Sequence, residues 1–404
     1  MPVSNIGVGS ITWITLSLGA FGIPIGAYGV VAITYILFKA FVARFYEPVD
    51  HSYDYDGESV SVVIPEYNED ADLFERGLKT VLNQDYDNLK EIWVIDDGSD
   101  QLDAWEIAKQ YAEENEIINV ARLNENQGKR RAQAEGFKQA TGDIFVTIDS
   151  DTLVKPDAIK ELVQPFHDPE IQAVTGQARI VNPDKKLLRK LIDMRFWVAF
   201  NVERACRSVF GTVIVCSGVF SAYRRELVVN NLDDYVNQEF LGAECTFGDD
   251  RHMTTYALQR GKVVYQSTAQ VLTDTPDELQ NYLTQQTRWM RSFWRESILA
   301  LRWAPSRSKL LAGMITMDMV LPFALIFFGF GSVIFRTLTT AASIPLIYVG
   351  IVFAVAYIRN VPYSREDFTT YLLAPVYGVL YLVTLLPLTF YALATVNSTG
   401  WGTR

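Results

Sequence analysis

Charge is segregated along this chain. Residues 11–43 hold one charged side chain, Lys39; residues 311–358 hold only Asp318 and Arg336; residues 369–396 hold none. Such runs exceed the ~20 apolar residues that cross a bilayer as a helix. Nearly all remaining charge lies between about residues 50 and 305. The chain therefore reads as a membrane protein with a soluble domain inserted between apolar ends. Its 404 residues predict two to four structural units.

The flanking cations orient it. Lys39 and Arg44 follow the first apolar run, Arg302, Arg307 and Lys309 precede the second, and Arg359 and Arg365 follow the third. All lie on the side of the middle domain, which is therefore expected on the cytoplasmic face of the cell membrane. Spans are expected near 20–42, 311–335 and 341–358, with a partial segment at 10–19. The first run lacks a basic leader and is too long for a cleavable signal. Pro375 and Pro387 interrupt 369–396, which on these residues alone either crosses or lies bent at the interface.

The formal net charge is −11, which repels phosphate backbones and argues against nucleic-acid binding. The 13% aromatic content supplies a core and excludes a disordered chain. Three cysteines, Cys206, Cys216 and Cys245, do not make a disulfide framework and suit a reducing compartment. Nothing in the sequence marks an obligate protein partner.

The middle domain alternates short apolar runs with helical stretches. Strands are expected at 60–64, 91–95, 119–123 and 143–148, with helices at 70–83, 103–114 and 129–140. That alternation predicts parallel β-α-β units in a doubly wound α/β sheet. Ligands in such sheets sit beyond the carboxyl ends of the strands. The polar clusters fall there: Pro65-Glu66-Tyr67-Asn68-Glu69, Asp96-Asp97-Gly98-Ser99 and Asp149-Ser150-Asp151.

Asp149 and Asp151 place two hard-oxygen ligands two residues apart, a spacing that suits Mg²⁺ or Mn²⁺ bridging to a diphosphate. Alone, D-x-D is equally a solvated turn, and D-D-G-S is a common turn. At successive strand ends the two reinforce each other. No phosphate-binding G-x-x-x-x-G-K-S/T loop occurs, which counts against an ATPase. Gly128-Lys129-Arg130-Arg131 opens a helix with three cations, either a phosphate or carboxylate holder or a solvated basic turn. Gly248-Asp249-Asp250 opens another helix, where a carboxylate can act as general base or merely cap. Gln285, Arg288 and Trp289 share a helix face at i, i+3 and i+4. Arginine there can neutralise a diphosphate and indole can stack on a sugar, while the segment also reads as an interfacial amphipathic helix.

Taken together, P-x-Y-N-E, D-D-G-S, D-S-D, G-D-D and Q-x-x-R-W, with membrane spans around them, resemble the processive family 2 glycosyltransferases. These are the cellulose, chitin and hyaluronan synthases, with a GT-A fold. Asn237–Gly242, Ser292–Ser297 and the terminal Trp401-Gly402-Thr403-Arg404 resemble the hyaluronan synthases in particular. The resemblance implies a partition into an N-terminal membrane segment (1–45), a GT-A domain (50–275), amphipathic interfacial helices (276–305), C-terminal membrane helices with an interfacial or re-entrant segment broken at Pro387 (308–396) and a terminal motif (397–404).

It further implies that Pro65, Tyr67, Glu69 and Asp97 meet the UDP-sugar donor, with Tyr67 against the base. Lys129 and Asp149 would face the donor sugar and phosphates, and Asp149 and Asp151 would hold Mg²⁺ or Mn²⁺. Asp250 would be the general base. Cys216, Ser217, Gly218, Cys245, Gln285 and Trp289 would border the growing polysaccharide acceptor. Arg288 would meet the leaving diphosphate, and Trp401 and Arg404 would close over the nucleotide. The implied activity is inverting transfer from UDP-GlcNAc and UDP-GlcA to hyaluronan coupled to its secretion. The alternatives are a chitin or chitin-oligosaccharide synthase using UDP-GlcNAc only, or a non-processive membrane glycosyltransferase. A transporter or receptor would explain the spans but not the converging acids. Asp318, inside a span, is expected to pair with a neighbouring helix rather than to mark a transport path.

Overall fold

The computed structural model describes residues 16–18, 23–25, 27–50, 58–330, 334 and 344–400. Trp401 and Arg404 lie outside the described residues. At the amino end β1 (Leu16–Leu18) pairs antiparallel with β2 (Ile23–Ile25), and α1 (Ala27–Val42) follows. The first helix thus begins at Ala27, later than the expected 20, because Leu16–Ile25 is spent on the short ladder.

The middle domain runs β3 (Val60–Glu66), α2 (Ala71–Leu82), β4 (Leu89–Asp96), α3 (Asp103–Glu114), β5 (Ile118–Arg122), α4 (Lys129–Gln139), β6 (Ile144–Ile148), β7 (Leu153–Val154) and α5 (Ala158–Val163). It continues with β8 (Ile171–Ile180), α6 (Leu187–Val198), α7 (Ala205–Ser208), β9 (Phe220–Arg224), α8 (Arg225–Asn230), α9 (Leu232–Val236), β10 (Glu239–Phe240), β11 (Ala243–Glu244), α10 (Asp249–Arg260) and β12 (Lys262–Thr273). Asp70 caps α2 by accepting the Leu73 N–H at 2.9 Å, which satisfies one of the free donors of the first turn.

Eight strands form one mixed sheet in the order β5-β4-β3-β6-β9-β8-β12-β7. β5, β4, β3 and β6 run parallel, as the sequence alternation predicts. β9 enters antiparallel between β6 and β8. β3 is buried along its whole length, the mark of a strand covered on both faces. Its Val60, Val62 and Val63 pack with Ile92, Val94, Phe137, Phe145 and Phe220 in a single core that holds the strand ends at fixed spacing.

Beyond the sheet come α11 (Leu279–Ala300), α12 (Ala304–Arg307) and α13 (Lys309–Ala324). Three helical stretches among the described residues are long and apolar enough to cross a membrane: Tyr28–Phe45, Lys309–Phe330 and Ala374–Ala394. A further apolar helix spans Ile344–Asn360. Asp318 pairs as expected: it accepts from Tyr35 at 2.9 Å and from Arg207 at 2.6 Å. With Arg359 and Arg195 both on Glu203, at 3.0 and 3.1 Å, these contacts fasten the apolar helices to the middle domain.

The break expected at Pro387 is absent. The helical run Ala374–Ala394 passes through a π-helical stretch, Tyr381–Leu385, and Pro387 falls just after it, in the first turn of the next α-helical piece. A proline at that point removes an N–H the altered ladder does not need. The run packs along α11 and ends beside the loop before α10. Tyr377 and Tyr282 hydroxyls are 3.5 Å apart, Arg291 donates to Thr395 at 3.0 Å, and Thr246 donates to the Thr399 carbonyl at 2.6 Å.

Candidate active site

The loops that follow β3, β4 and β6 converge where the alternation predicts. Pro65 is buried at the end of β3, and Tyr67 and Glu69 are partly buried in the loop after it. Asp97 is buried and accepts the backbone N–H groups of Gln127 and Gly128, both at 2.8 Å. It therefore fixes the turn that launches α4 and aims Lys129. Burial pushes its carboxyl up to about 6 despite those two donors. Gly98 is needed for the same closure: at φ +71° a Cβ would lie 2.4 Å from the Glu125 carbonyl carbon.

Lys129 donates to the Asp149 carboxylate, and its ammonium lies 4.0 Å from Asp249. Its partly buried ammonium is held charged by Asp149, Asp249 and Asp250 against the cost of desolvation. Gly218 completes the group. A Cβ there would lie 3.1 Å from the Lys129 ammonium and 3.9 Å from both Asp149 and Asp250. Gly218, Asp249 and Asp250 line one pocket with Gln133, Thr147 and Tyr223. The structure thus brings together Lys129, Asp149, Gly218 and Asp250 from four separated stretches of chain.

Asp249 and Asp250 occupy the first turn of α10, where the helix dipole favours negative charge. Neither caps it: Gly248 is the cap, at φ +82°. Burial, then the neighbouring Asp249, raises the Asp250 carboxyl to about 6, with Arg251 and Lys129 opposing. A carboxylate tuned into that range is suited to accept a proton near neutral pH.

Gln285, Arg288 and Trp289 lie on α11 as expected. Trp289 is 44% exposed, its ring 6.2 Å from that of Phe196, so an indole face remains for a sugar. Cys216 and Cys245 are buried, and burial raises both thiols, Cys216 to about 12. Of that group Gly218 reaches the pocket, while the Ser217 N–H donates to Thr175 at 3.2 Å.

Asp151 follows Asp149 by two residues beyond β6. Among the described residues no three His, Cys, Asp or Glu side chains converge as a complete metal cage. The donor set still fits a hard divalent cation, which takes one or two carboxylates and completes its shell with phosphate oxygens and water. The attraction of these acids for positive charge is visible in the Lys129–Asp149 contact.

Reading the sequence gave no site role to Glu66, Gln238, His252, Arg295 or Glu296, and left Arg130 as one of three cations opening a helix. Glu66 is buried beside Asp96, and burial followed by that carboxylate raises it to about 8. Its position inside P-x-Y-N-E was the available signal. The others are polar residues whose burial only the tertiary structure reveals.

The glycosyl transferase family 2 profile matches residues 61–230. A hyaluronan synthase from Streptococcus pyogenes is 42% identical over 398 residues, covering 97% of this chain and 94% of the relative. An N-acetylglucosaminyltransferase from Azorhizobium caulinodans is 35% identical over 350 residues, covering 85% of this chain and 87% of the relative. Among solved structures, a mannosyltransferase from Pyrobaculum calidifontis in complex with GDP-Man and Mn²⁺ superposes with a TM-score of 0.62 at 22% identity, covering 87% of this chain and 96% of its own. That likeness establishes the GT-A fold. Sequence, sheet and converging strand-end acids agree: the chain is a glycosyltransferase of family 2 and belongs with the hyaluronan synthases and their N-acetylglucosaminyltransferase relatives.

Proposed function

We propose that the protein is a processive hyaluronan synthase of the cell membrane, its catalytic domain on the cytoplasmic side. It transfers GlcNAc and GlcA from UDP donors to a growing chain with inversion and passes the product outward. The observation that carries the reaction is Asp250 and Gly218 in one pocket, with Lys129 and Asp149 close against that glycine. The identity of the polymer is supported by the 42% match across the membrane helices as well as the domain.

Asp250 takes the proton from the acceptor hydroxyl. The freed oxygen attacks the anomeric carbon, the bond to the diphosphate breaks, and an α-linked donor yields a β-glycoside and UDP. Tyr67, Glu69 and Asp97 hold the nucleoside, and Lys129 meets the charge developing on the phosphates. A divalent cation held by Asp149 and Asp151, when bound, neutralises the same diphosphate. Gln285 and Trp289 hold the acceptor end, and Arg288 meets the leaving group.

Purified protein given labelled UDP-GlcNAc alone, UDP-GlcA alone or both tests the reading. Long polymer is expected only with both donors. Polymer from UDP-GlcNAc alone would make the chain a chitin-type synthase.

A further inference from the structure

The segment carrying the two acids is held from outside α10. Gly248 faces α11 so closely that a Cβ would lie 2.2 Å from Ser292 Oγ and 2.6 Å from Arg295 Nη2. Arg295 donates through Nη2 to the Phe247 carbonyl and lies 5.4 Å over the Phe247 ring. Arg295 Nε donates to Glu296 at 3.1 Å. Glu296 accepts from Gln238 Nε2 at 2.8 Å, and Gln238 Oε1 accepts from Arg130 Nη2 at 3.0 Å.

The chain of contacts then closes on α10. Arg130 Nη1 is 2.8 Å from His252 Nδ1 and 2.5 Å from the Tyr235 carbonyl. Burial, then Arg130, lowers His252 to about 2, so the ring is neutral and Nδ1 accepts from the guanidinium. His252 stands two residues after Asp250, and Arg130 directly follows Lys129. Arg130, Gln238, His252, Arg295 and Glu296 are each less than 8% exposed.

We infer that Arg295 and Glu296 are positioning residues for the reaction: through Phe247, Gly248 and the Gln238–Arg130–His252 relay they fix Asp250 relative to Lys129. The hydrogen bonds among these side chains tie the two segments together, while Arg130 Nε and Glu296 Oε2 have no hydrogen-bond partner among the described residues. The same bonds also place α11 in control of the base. Arg288, Ser292 and Arg295 recur at i, i+4 and i+7, so the face that carries the Q-x-x-R-W arginine also grips the acid loop. A displacement of that helix by an incoming acceptor would be felt at Asp250. A misplacement of about 1 Å at a catalytic group costs on the order of 100-fold in rate.

The inference rests on Asp250 being the base, so Asp250→Asn is measured alongside. Arg295→Ala alone strands the buried Glu296 and risks misfolding. The informative variant is therefore Arg295→Met with Glu296→Gln, which removes both charges and keeps an acceptor for Gln238. Expected is a melting temperature within a few degrees of the parent, unchanged UDP affinity by calorimetry, and kcat lowered at least tenfold with donor KM within twofold. Arg295→Lys, which can still reach the Phe247 carbonyl, should recover part of kcat. Parent-like kcat in the double variant, or a loss of kcat that tracks melting temperature across the set, would overturn the positioning role. Full activity in Asp250→Asn would instead overturn the assignment of the base.

Discussion

Lys129 and Asp149 are in direct ion-pair contact, although one opens a helix and the other ends a strand 20 residues later. The ammonium thus satisfies a carboxylate that is expected to help hold the diphosphate. A donor that drew Lys129 toward its phosphates would leave Asp149 in need of another positive partner. A divalent cation held by Asp149 and Asp151 would supply one, which would link metal and nucleotide binding in one equilibrium.

Asp151→Ala should therefore lose the metal-dependent part of UDP affinity. Calorimetry with UDP, with and without Mn²⁺, should show at least a tenfold metal effect in the parent, about 1.4 kcal/mol, and little in the variant. An unchanged metal effect would remove Asp151 from the site.

Asp250→Asn should lower polymer synthesis by roughly 10²–10⁴-fold, the usual worth of a general base, while UDP still binds. The raised Asp250 carboxyl also sets a pH dependence. The group is a usable base only when deprotonated, so kcat should fall as pH drops through about 6. Residual activity in the variant should lack that limb. Near-parental synthesis by Asp250→Asn would move the base to Asp249.

Glu66 gives a prediction about stability. Its folded value, about 8, exceeds its ordinary 4.5, so between those values the folded state binds more protons than the unfolded one. Stability must then fall as pH rises through that window. Glu66→Gln removes the ionisation while keeping the shape. It should raise the melting temperature at pH 8 by several degrees and change it little at pH 4.5. Equal shifts at both pH values would show that the carboxyl is not held neutral.

The strand ends, the helix that starts at Lys129 and the helix bearing Gln285, Arg288 and Trp289 were legible because periodicity and turn chemistry are local. The antiparallel insertion of β9 between β6 and β8 was not, since pairing partners distant in sequence leave no periodic mark. Gly248 read as part of an acidic motif. Only the approach of Ser292 and Arg295 reveals it as a contact point with α11. Pro387 was misread for a related reason. A proline excludes one hydrogen bond, and whether the helix ends there depends on how the preceding turn is wound, here as a π-helical stretch.

The last prediction concerns residues 401–404. Chain termini are usually expendable, so deletion would ordinarily change nothing. The chain just before them is not loose, however. Val396 packs with Trp294, Phe240 and Cys245, and the Thr399 carbonyl accepts from Thr246, four residues before Asp250. Trp401 follows the anchored Thr399 by two residues in the sequence. Arg404 is expected to neutralise diphosphate charge and Trp401 to exclude water that would otherwise hydrolyse the donor. Deleting 401–404, or Arg404→Ala, should lower polymer synthesis at least tenfold without shifting the melting temperature. The truncated protein should also release more free sugar per sugar polymerised. Normal polymerisation by the truncated protein would show that the anchored segment ends its work at Thr399.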